Sequence, residues 1–556
     1  MAEGKGEEQP RQGKELVWQS LRVCVPSKRG RARRALDDVS GRAVPGRVAA
    51  IMGPSGGGKS TLLNAITNRT PATAGVSIEG GRLLLDGVPA NRAPLKLAYV
   101  TQNNLAYAQL TVRETLSLAA QLRSTNPERV DRVIRLMGLS ACADTPVGDD
   151  STPGISGGER KRLALACDAL GDPAIFCADE PTTGLDTFAA FQVMENLRSL
   201  AHEYGKTVIV SLHQPRGAIW NKVDDLYLLS EGQLVYGGAR EDAAGFFKEL
   251  GLNPDVGTSE AEFVVDAVSV DYTNQQRHDD SLRAIANYAR ACKEKQSREK
   301  QAVPHARVNG AANGTDGDGK SLRSEQRPLV NAPTQFRLLL SRSWKQVLRD
   351  KKARSSRIAS TVSSATTFAI LFWRLSRDSA SIKSRIGLMQ VSAVSTAMTS
   401  LVKTIGVFSK EKQIVNQERA RGLYNPGPLA TAKVIAETPL ASIYPLLFGA
   451  IVYPSTRLRP SFDAACRFAG IVTLESFSAS GIGLAVSAAT PSYEAASATG
   501  PSIMTMFIVF SSFAPKTPWV LSWIPKISVI GRAVEALMLN EVRYSQLDIP
   551  FFHNSG

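Results

Sequence analysis

Two different hydrophobic rhythms divide the chain. From Leu16 to about Val270, short unbroken apolar runs such as Val48–Met52, Leu97–Thr101, Ala174–Ala178 and Thr207–Leu212 alternate with stretches of helical character. Runs of this length and this spacing predict an α/β domain built on a mostly parallel sheet. After Phe336 the pattern changes to long apolar segments diluted by Ser, Ala and Gly: Ile358–Trp373, Ile386–Phe408, Leu429–Tyr453, Phe468–Thr490 and Ala495–Ala514. Each approaches the ~20 residues that cross a bilayer, and small residues at this frequency suit helices packed on other helices within it. Buried helices of a soluble domain remain an alternative on hydropathy alone. Between the two patterns, residues 271–335 contain the Gly/Asn/Asp-rich run Asn309–Ser321 and predict a flexible basic linker. Residues 1–15 are polar, carry acids and lack an apolar core, so they predict a disordered tail and exclude a secretory signal.

Composition narrows the class. At 556 residues with 43% hydrophobic and 21% charged, the chain is neither disordered throughout nor fibrous. Six scattered cysteines give no disulfide framework and no CxxC pair. The formal charge is +15, and residues 271–358 hold 19 Lys/Arg against 9 Asp/Glu, so +10 lies in one central stretch. Arg342, Lys345, Arg349, Lys351, Lys352, Arg354 and Arg357 precede or open the first apolar segment, whereas four basic residues (Arg374, Arg377, Lys383, Arg385) follow it. That asymmetry places the N-terminal domain in the cytosol. A basic belt beside a membrane accounts for the excess charge without nucleic acid.

The first half carries phosphate chemistry. Gly53-Pro54-Ser55-Gly56-Gly57-Gly58-Lys59-Ser60-Thr61 follows the run Val48–Met52 and fits GxxxxGK[ST]. Its glycines allow backbone N–H groups to turn towards phosphate oxygens, and a helix starting near Lys59 adds its positive end. Lys59 is expected on the β and γ phosphates and the Ser60 hydroxyl on Mg²⁺. Ile175–Ala178 ends in Asp179 and Glu180 at the carboxyl edge of a strand, where α/β sheets bind their ligands. Asp179 is expected to hold the Mg²⁺ shell and Glu180 to orient the attacking water. Ile155-Ser156-Gly157-Gly158-Glu159 opens a helix and forms a second anion-binding N-terminus, and His213 just past Thr207–Leu212 is a candidate γ-phosphate sensor.

GPSGGGKST, ISGGERKR, FCADEPTTGLD and SLHQP, in this order and spacing, resemble the ATP-binding cassette ATPases. The order of domains, together with Glu418–Pro439 (ERARGLYNPGPLATAKVIAETP), resembles the G subfamily, the White/Brown-type half-transporters. The resemblance implies an α/β P-loop ATPase domain of cassette fold over residues 16–270, followed by an all-α transmembrane helical domain over residues 336–556. It matches Gln102 to the glutamine that couples Mg²⁺ to the membrane domain, and Asp186 to the D-loop aspartate. It implies ATP and Mg²⁺ as cofactors, and a dimer in which Ser156-Gly157-Gly158 closes over the partner's ATP. It implies a bilayer location, a second half-transporter (identical or related) and a lipophilic or amphipathic cargo such as a lipid, sterol or pigment precursor.

Two departures stand out. The stretch Leu21–Val25 has no aromatic to stack on adenine, with Val23 near that position, and the chain ends soon after NEVRYSQLDIPFF, so a sixth span is expected to be missing. A truncated, non-transporting or regulatory form, and a soluble cassette ATPase acting on nucleic acid or the ribosome, are the alternatives. Lys403, Lys433, Glu437 and Glu475 fall within expected spans. They mark either a substrate path and coupling network or charges paired inside the bundle. Pro439 and Pro445 are expected to be tolerated as kinks.

Overall fold

The structure, a computed structural model, describes residues 12–26, 33–67, 76–90, 97–102, 106–149, 152–302, 330–376, 381–510 and 523–542. Its contacts separate two units, Met1–Gln326 and Arg327–Gly556. Residues 1–11 of the tail expected over 1–15, the Asn309–Ser321 run, and everything after Val542 lie outside the described residues. Residues 13–15 are bonded to the domain rather than forming a tail, Gly13 N–H to Gly205 O at 2.9 Å and Glu15 N–H to Asp86 at 2.8 Å.

In the first unit β1 (Leu16–Val25) and β2 (Arg33–Ala43) lead into β3 (Val48–Met52), the phosphate loop and α1 (Lys59–Ile66). The chain continues through β4 (Ser77–Leu85), β5 (Val88–Pro89), β6 (Leu97–Val100), α2 (Val112–Leu122), α3 (Glu128–Leu136) and α4 (Gly157–Ala169). Then come β7 (Ile175–Ala178), α5 (Thr187–His202), β8 (Thr207–Ser211), α6 (Gly217–Trp220), β9 (Asp225–Ser230) and β10 (Gln233–Ala239). Helices α7 (Ala243–Glu249), α8 (Glu260–Asp266) and α9 (Gln275–Ala302) close the unit. The main sheet has the order β10-β9-β3-β8-β7-β6, and only the β9–β10 pair is antiparallel. Every residue of β3, β7 and β8 is buried, as a strand covered by helices on both faces requires. An antiparallel sheet, β2-β1-β4-β5, packs beside it through Trp18, whose ring lies 5.1 Å from that of Tyr227 on β9.

One expectation fails here. Residues 275–302 are not a flexible linker but α9, in which Ile285, Ala289 and Cys292 are buried. Their i, i+4, i+7 spacing gives the helix an apolar stripe. Tyr288 sets its edge against Phe247, and Lys293 reaches Asp38 at 2.7 Å, so the basic residues line the solvent side of a docked helix.

Among the described residues the regular structure of the second unit is all helix: α10 (Ala332–Arg349), α11 (Lys351–Leu371), α12 (Ile382–Ala420), α13 (Pro426–Ser455), α14 (Phe462–Ala489), α15 (Tyr493–Val509), α16 (Ile524–Ile527) and α17 (Val529–Val542). Among the described residues three helices, α12 through Ser409, α13 and α14, are long and apolar enough to cross a membrane. The first expected span, and the fifth as far as Val509, are helical but fall short of that measure. In the apolar part of α11, after Arg357, hydroxyls bond back into their own helix, Ser364 to Ser360 O at 2.7 Å and Thr367 to Ser363 O at 2.9 Å. Such bonding lets a Ser/Thr-rich helix present a satisfied surface. Small residues bring the backbones together: a Cβ on Gly483 would stand 3.1 Å from Leu401 O, and one on Gly500 would meet Ile405 at 2.4 Å. Helix α13 runs unbroken through Pro439, Pro445 and Pro454.

Three of the four charges expected within the spans are paired. Lys433 bonds to Glu411 and lies 3.9 Å from Glu437, which in turn lies 4.0 Å from Lys403. Glu475 differs: it is 3% exposed, Oε2 accepts from Thr396 at 3.3 Å, and Oε1 has no partner. At one end of the bundle Arg342 makes two bonds to Glu418, at 3.0 and 2.8 Å, and Tyr424 donates to the same carboxylate. Replacing Arg342 with Ala leaves a carboxylate that was built around it. This variant is expected to destabilise the helical unit by about 3 kcal/mol, with the paired change Arg342→Met, Glu418→Gln recovering part of the loss. Thermal unfolding followed by tryptophan fluorescence reads this, and an unchanged midpoint in Arg342→Ala would show the pair to be dispensable.

Candidate functional site

The site forms at the carboxyl ends of β3, β7 and β8. The turn after β3 depends on glycine: Gly53 has φ +142° and an added Cβ would lie 1.9 Å from Leu229 O. Gly58, at φ +105°, caps α1 in a left-handed conformation with its own backbone, since no side chain does so. Lys59, the first residue of α1, is buried, and Nζ donates to Gly53 O at 2.8 Å and Pro54 O at 3.0 Å. Burial lowers the pKa of its ammonium, with Glu180 and Asp179 pulling the other way.

The two acids after β7 are placed by their neighbours. Asp179 Oδ1 accepts from Ser211 Oγ at 2.6 Å and from Ser60 Oγ at 3.2 Å, and Tyr99 donates to Asn64 at 2.9 Å and reaches Asp179 Oδ2 at 3.4 Å. Glu180 sits at φ +46°, and its N–H donates to Ser211 Oγ at 2.7 Å. A non-glycine residue in this region is strained, so the Ser211 bond fixes a conformation the chain would otherwise leave. Gln102 donates to Glu180 Oε2 at 2.8 Å, Thr183 to the same oxygen at 3.1 Å, and no described side chain is bonded to Oε1. His213 Nε2 lies 3.4 Å from Ser55 Oγ. Ser55, Lys59, Ser60 and Glu180 thus line one cleft of about 320 Å³, and His213, Asp179 and Gln102 are tied to it through Ser55, Ser60 and Glu180 respectively.

Other expected site residues lie elsewhere. Ser156 caps α4, with Glu159 accepting from its N–H at 2.8 Å in a reciprocal box; that bond chiefly holds the Glu159 carboxyl below its usual pKa. Gly157 and Gly158 form the first turn of α4, and Gly158 is closed against Ala189, where a Cβ would meet the Ala189 Cβ at 2.6 Å. None of the three lines the cleft among the described residues. Asp186 caps α5 by accepting from the Ala189 N–H at 2.9 Å. Val23 is fully buried in the core, whereas Val25, Arg33 and Arg34 are among the residues that line the cleft.

Ser211, Tyr99, Asn64, Thr183 and Lys161 were not among the expected site residues. Ser211 opens the SLHQP run and Lys161 sits inside ISGGERKR, so both lay within motifs already singled out. Tyr99 and Asn64 carry no such signal: the pairing of β6 with β7 brings Tyr99 to Asp179, and Asn64 reaches it from α1 only through the Tyr99 hydroxyl.

The oxygen set around Ser60 suits a hard divalent cation. Its hydroxyl and the Asp179 carboxylate converge at 3.2 Å, and Gln102 uses its amide nitrogen on Glu180, which leaves its carbonyl for a third contact. One carboxylate plus neutral oxygens is the usual protein contribution to Mg²⁺, the remainder coming from phosphate and water.

Residues 36–183 match the family described as ABC transporter, and residues 334–542 match the one described as ABC-2 type transporter. The chain is 43% identical to ABC transporter G family member 7 of Arabidopsis thaliana over 95% of its own length and 74% of that protein's. It is 31% identical to Protein white of Drosophila melanogaster, covering 93% of this chain and 75% of the other. It is 30% identical to the ATP-binding protein/permease wht-1 of Caenorhabditis elegans, covering 95% and 83%.

Lys161 gives the site a pH signature. It is 2% exposed, donates to Gln102 O at 2.9 Å, and burial pushes its pKa from 10.5 down to about 8. A lysine whose folded pKa lies below its unfolded one binds fewer protons when folded, so its cost to stability is full below about pH 8 and lifts as pH rises towards 10.5. The stability of wild type relative to Lys161→Met should therefore rise by about 2 kcal/mol between pH 7.5 and 10. Denaturant unfolding of both proteins at each pH measures it; a pH-independent difference would mean that Lys161 is not desolvated.

Proposed function

We propose that this chain, which belongs to the G family of ABC transporters, hydrolyses ATP as one half of a dimer and uses that cycle to move a lipophilic or amphipathic compound across a membrane. The observation that carries the dimer is the position of Ser156. Its turn is preorganised as an anion site at the N-terminus of a 13-residue helix, yet it does not line the cleft of its own chain. A triphosphate bound by the loop after β3 is covered on one side only, and preorganised donors on the other side are worth a few kcal/mol each to a transition state. A second copy supplies them.

Within one cleft the roles divide by geometry. Backbone N–H groups of residues 56–61 and the α1 N-terminus take the phosphates, and Lys59 exchanges its neutral carbonyl acceptors for anionic phosphate oxygens, which form the stronger bond. Ser60, Asp179 and Gln102 are the residues that would hold Mg²⁺, which supplies charge neutralisation at the phosphates when bound. Glu180, fixed through Oε2 by Gln102 and Thr183, keeps Oε1 for a water and accepts its proton. His213 stands beside Ser55 to contact the terminal phosphate. With no aromatic at Val23, the base rests on Val25 and the Arg33–Arg34 side chains.

In the second unit, the seven-to-four basic asymmetry across α11 supports a cytosolic placement of the N-terminal unit. The ion pairs of Lys403, Lys433 and Glu437 support a structural role for these three residues in the bundle.

Glu180→Gln should retain nucleotide binding and slow hydrolysis about 10²-fold or more; near-normal turnover in the purified variant would remove Glu180 from the water-orienting role. Mixing inactive Lys59→Ala with inactive Ser156→Ala should restore part of the activity, because one composite site in the mixed dimer keeps both halves. Absence of rescue, with specific activity independent of protein concentration, would mean that each chain works alone.

A further inference from the structure

Residues of the phosphate loop and α1 form only part of the cleft after β3. Val25, Arg33, Arg34 and Ala35 of β1 and β2 line it too, with Glu231 and Gly232 from the turn between β9 and β10. That turn is a two-residue hairpin: Ser230 pairs with Gln233, and Glu231 and Gly232 sit at φ +47° and +76°. Such turns favour Asn-Gly or Gly-Gly, so the glutamate is held against its backbone preference. Gly232 N–H donates to Gly57 O at 3.2 Å, Gly232 O accepts from the Asp37 N–H at 2.8 Å, and Glu231 Oε2 accepts from Arg33 at 3.3 Å. A Cβ on Gly232 would lie 2.6 Å from Ala35 O. The turn is therefore locked between β2 and the phosphate loop, and it keeps an exposed carboxylate at the cleft.

Strands β1 and β2 bring no ring to this wall. After Trp18, which is fully buried, the next aromatic residue in the sequence is Tyr99. A base seated here lies on the Arg33 and Arg34 guanidinium planes, which stack on any base, and its edge meets a carboxylate. An ionised carboxylate only accepts hydrogen bonds, and its lone pairs outnumber the single bond from Arg33. Guanine offers it two parallel donors, the N1–H and the 2-amino group. The matching edge of adenine sets one donor beside a lone pair, which a carboxylate repels. We infer that Glu231 reads the edge of the base, and that the cleft takes guanine nucleotides at least as readily as adenine nucleotides. The inference rests on the nucleotide-binding reading of the cleft.

The test uses the full chain in nanodiscs, as the Glu180→Gln protein with Mg²⁺, so that binding is read without turnover. ATP, GTP and inosine triphosphate, which is GTP without its 2-amino group, each displace a fluorescent ATP analogue. GTP should bind about fivefold more tightly than inosine triphosphate, the lower end of what one bidentate base contact discriminates, and no more weakly than ATP. Adding Glu231→Ala should bring GTP and inosine triphosphate to equal affinity. Equal affinity already with Glu231 in place, or a difference that survives Glu231→Ala, would overturn the reading of the base by Glu231. ATP binding tighter than GTP would overturn the acceptance of guanine. Failure of the fluorescent analogue to bind at all would instead overturn the nucleotide-binding reading itself.

Discussion

Backbone N–H groups can gather phosphate oxygens only if the strand that delivers them cannot move. Here β3 is that strand, paired on one side to β8 and on the other to β9, with all five residues buried. The loop after it closes against β9 itself, because Gly53 passes so near Leu229 O that no side chain fits. The sheet also registers β7 and β8 so that Ser211 meets both acids of β7's end. Strand order thus sets the site. Glu180 is held in a strained backbone conformation by a serine from the neighbouring strand, while Thr183 of its own loop bonds its carboxylate.

Much of this was legible in the sequence. Apolar runs placed β3, β6, β7 and β8, and the glycine spacing placed the phosphate loop, because both signals are local. The residues that tune the acids were not legible in the same way. Tyr99 and Ser211 act across strand pairs, and nothing in their own neighbourhoods says which strand lies next to which. The misjudged segment is instructive: α9 was hidden by its charge, although Ile285, Ala289 and Cys292 kept a helical period beneath it. Charge density describes the solvent face of a helix and says little about the face that docks.

The helical unit follows a different rule. Its helices are only moderately apolar, so close approach at Gly483 and Gly500 and self-satisfied hydroxyls take the place of bulky side chains. Charges that looked misplaced in the sequence, Lys403, Lys433 and Glu437, lie together between α12 and α13 and form ion pairs, as the cost of an isolated charge in hydrocarbon requires. Glu475 has only a hydroxyl beside it and therefore sits in the bundle on different terms from the other three.

The central claim is that two copies of the first unit close over ATP, each lending its Ser156 turn to the other's phosphate loop. The most direct measurement is the distance between spin labels on Pro153→Cys, an exposed position three residues before Ser156, in a Cys466→Ala background. In the Glu180→Gln protein, added ATP should draw a broad inter-chain distance distribution into a single shorter one. A distribution that ignores ATP, or the absence of any inter-chain dipolar signal, would contradict the account.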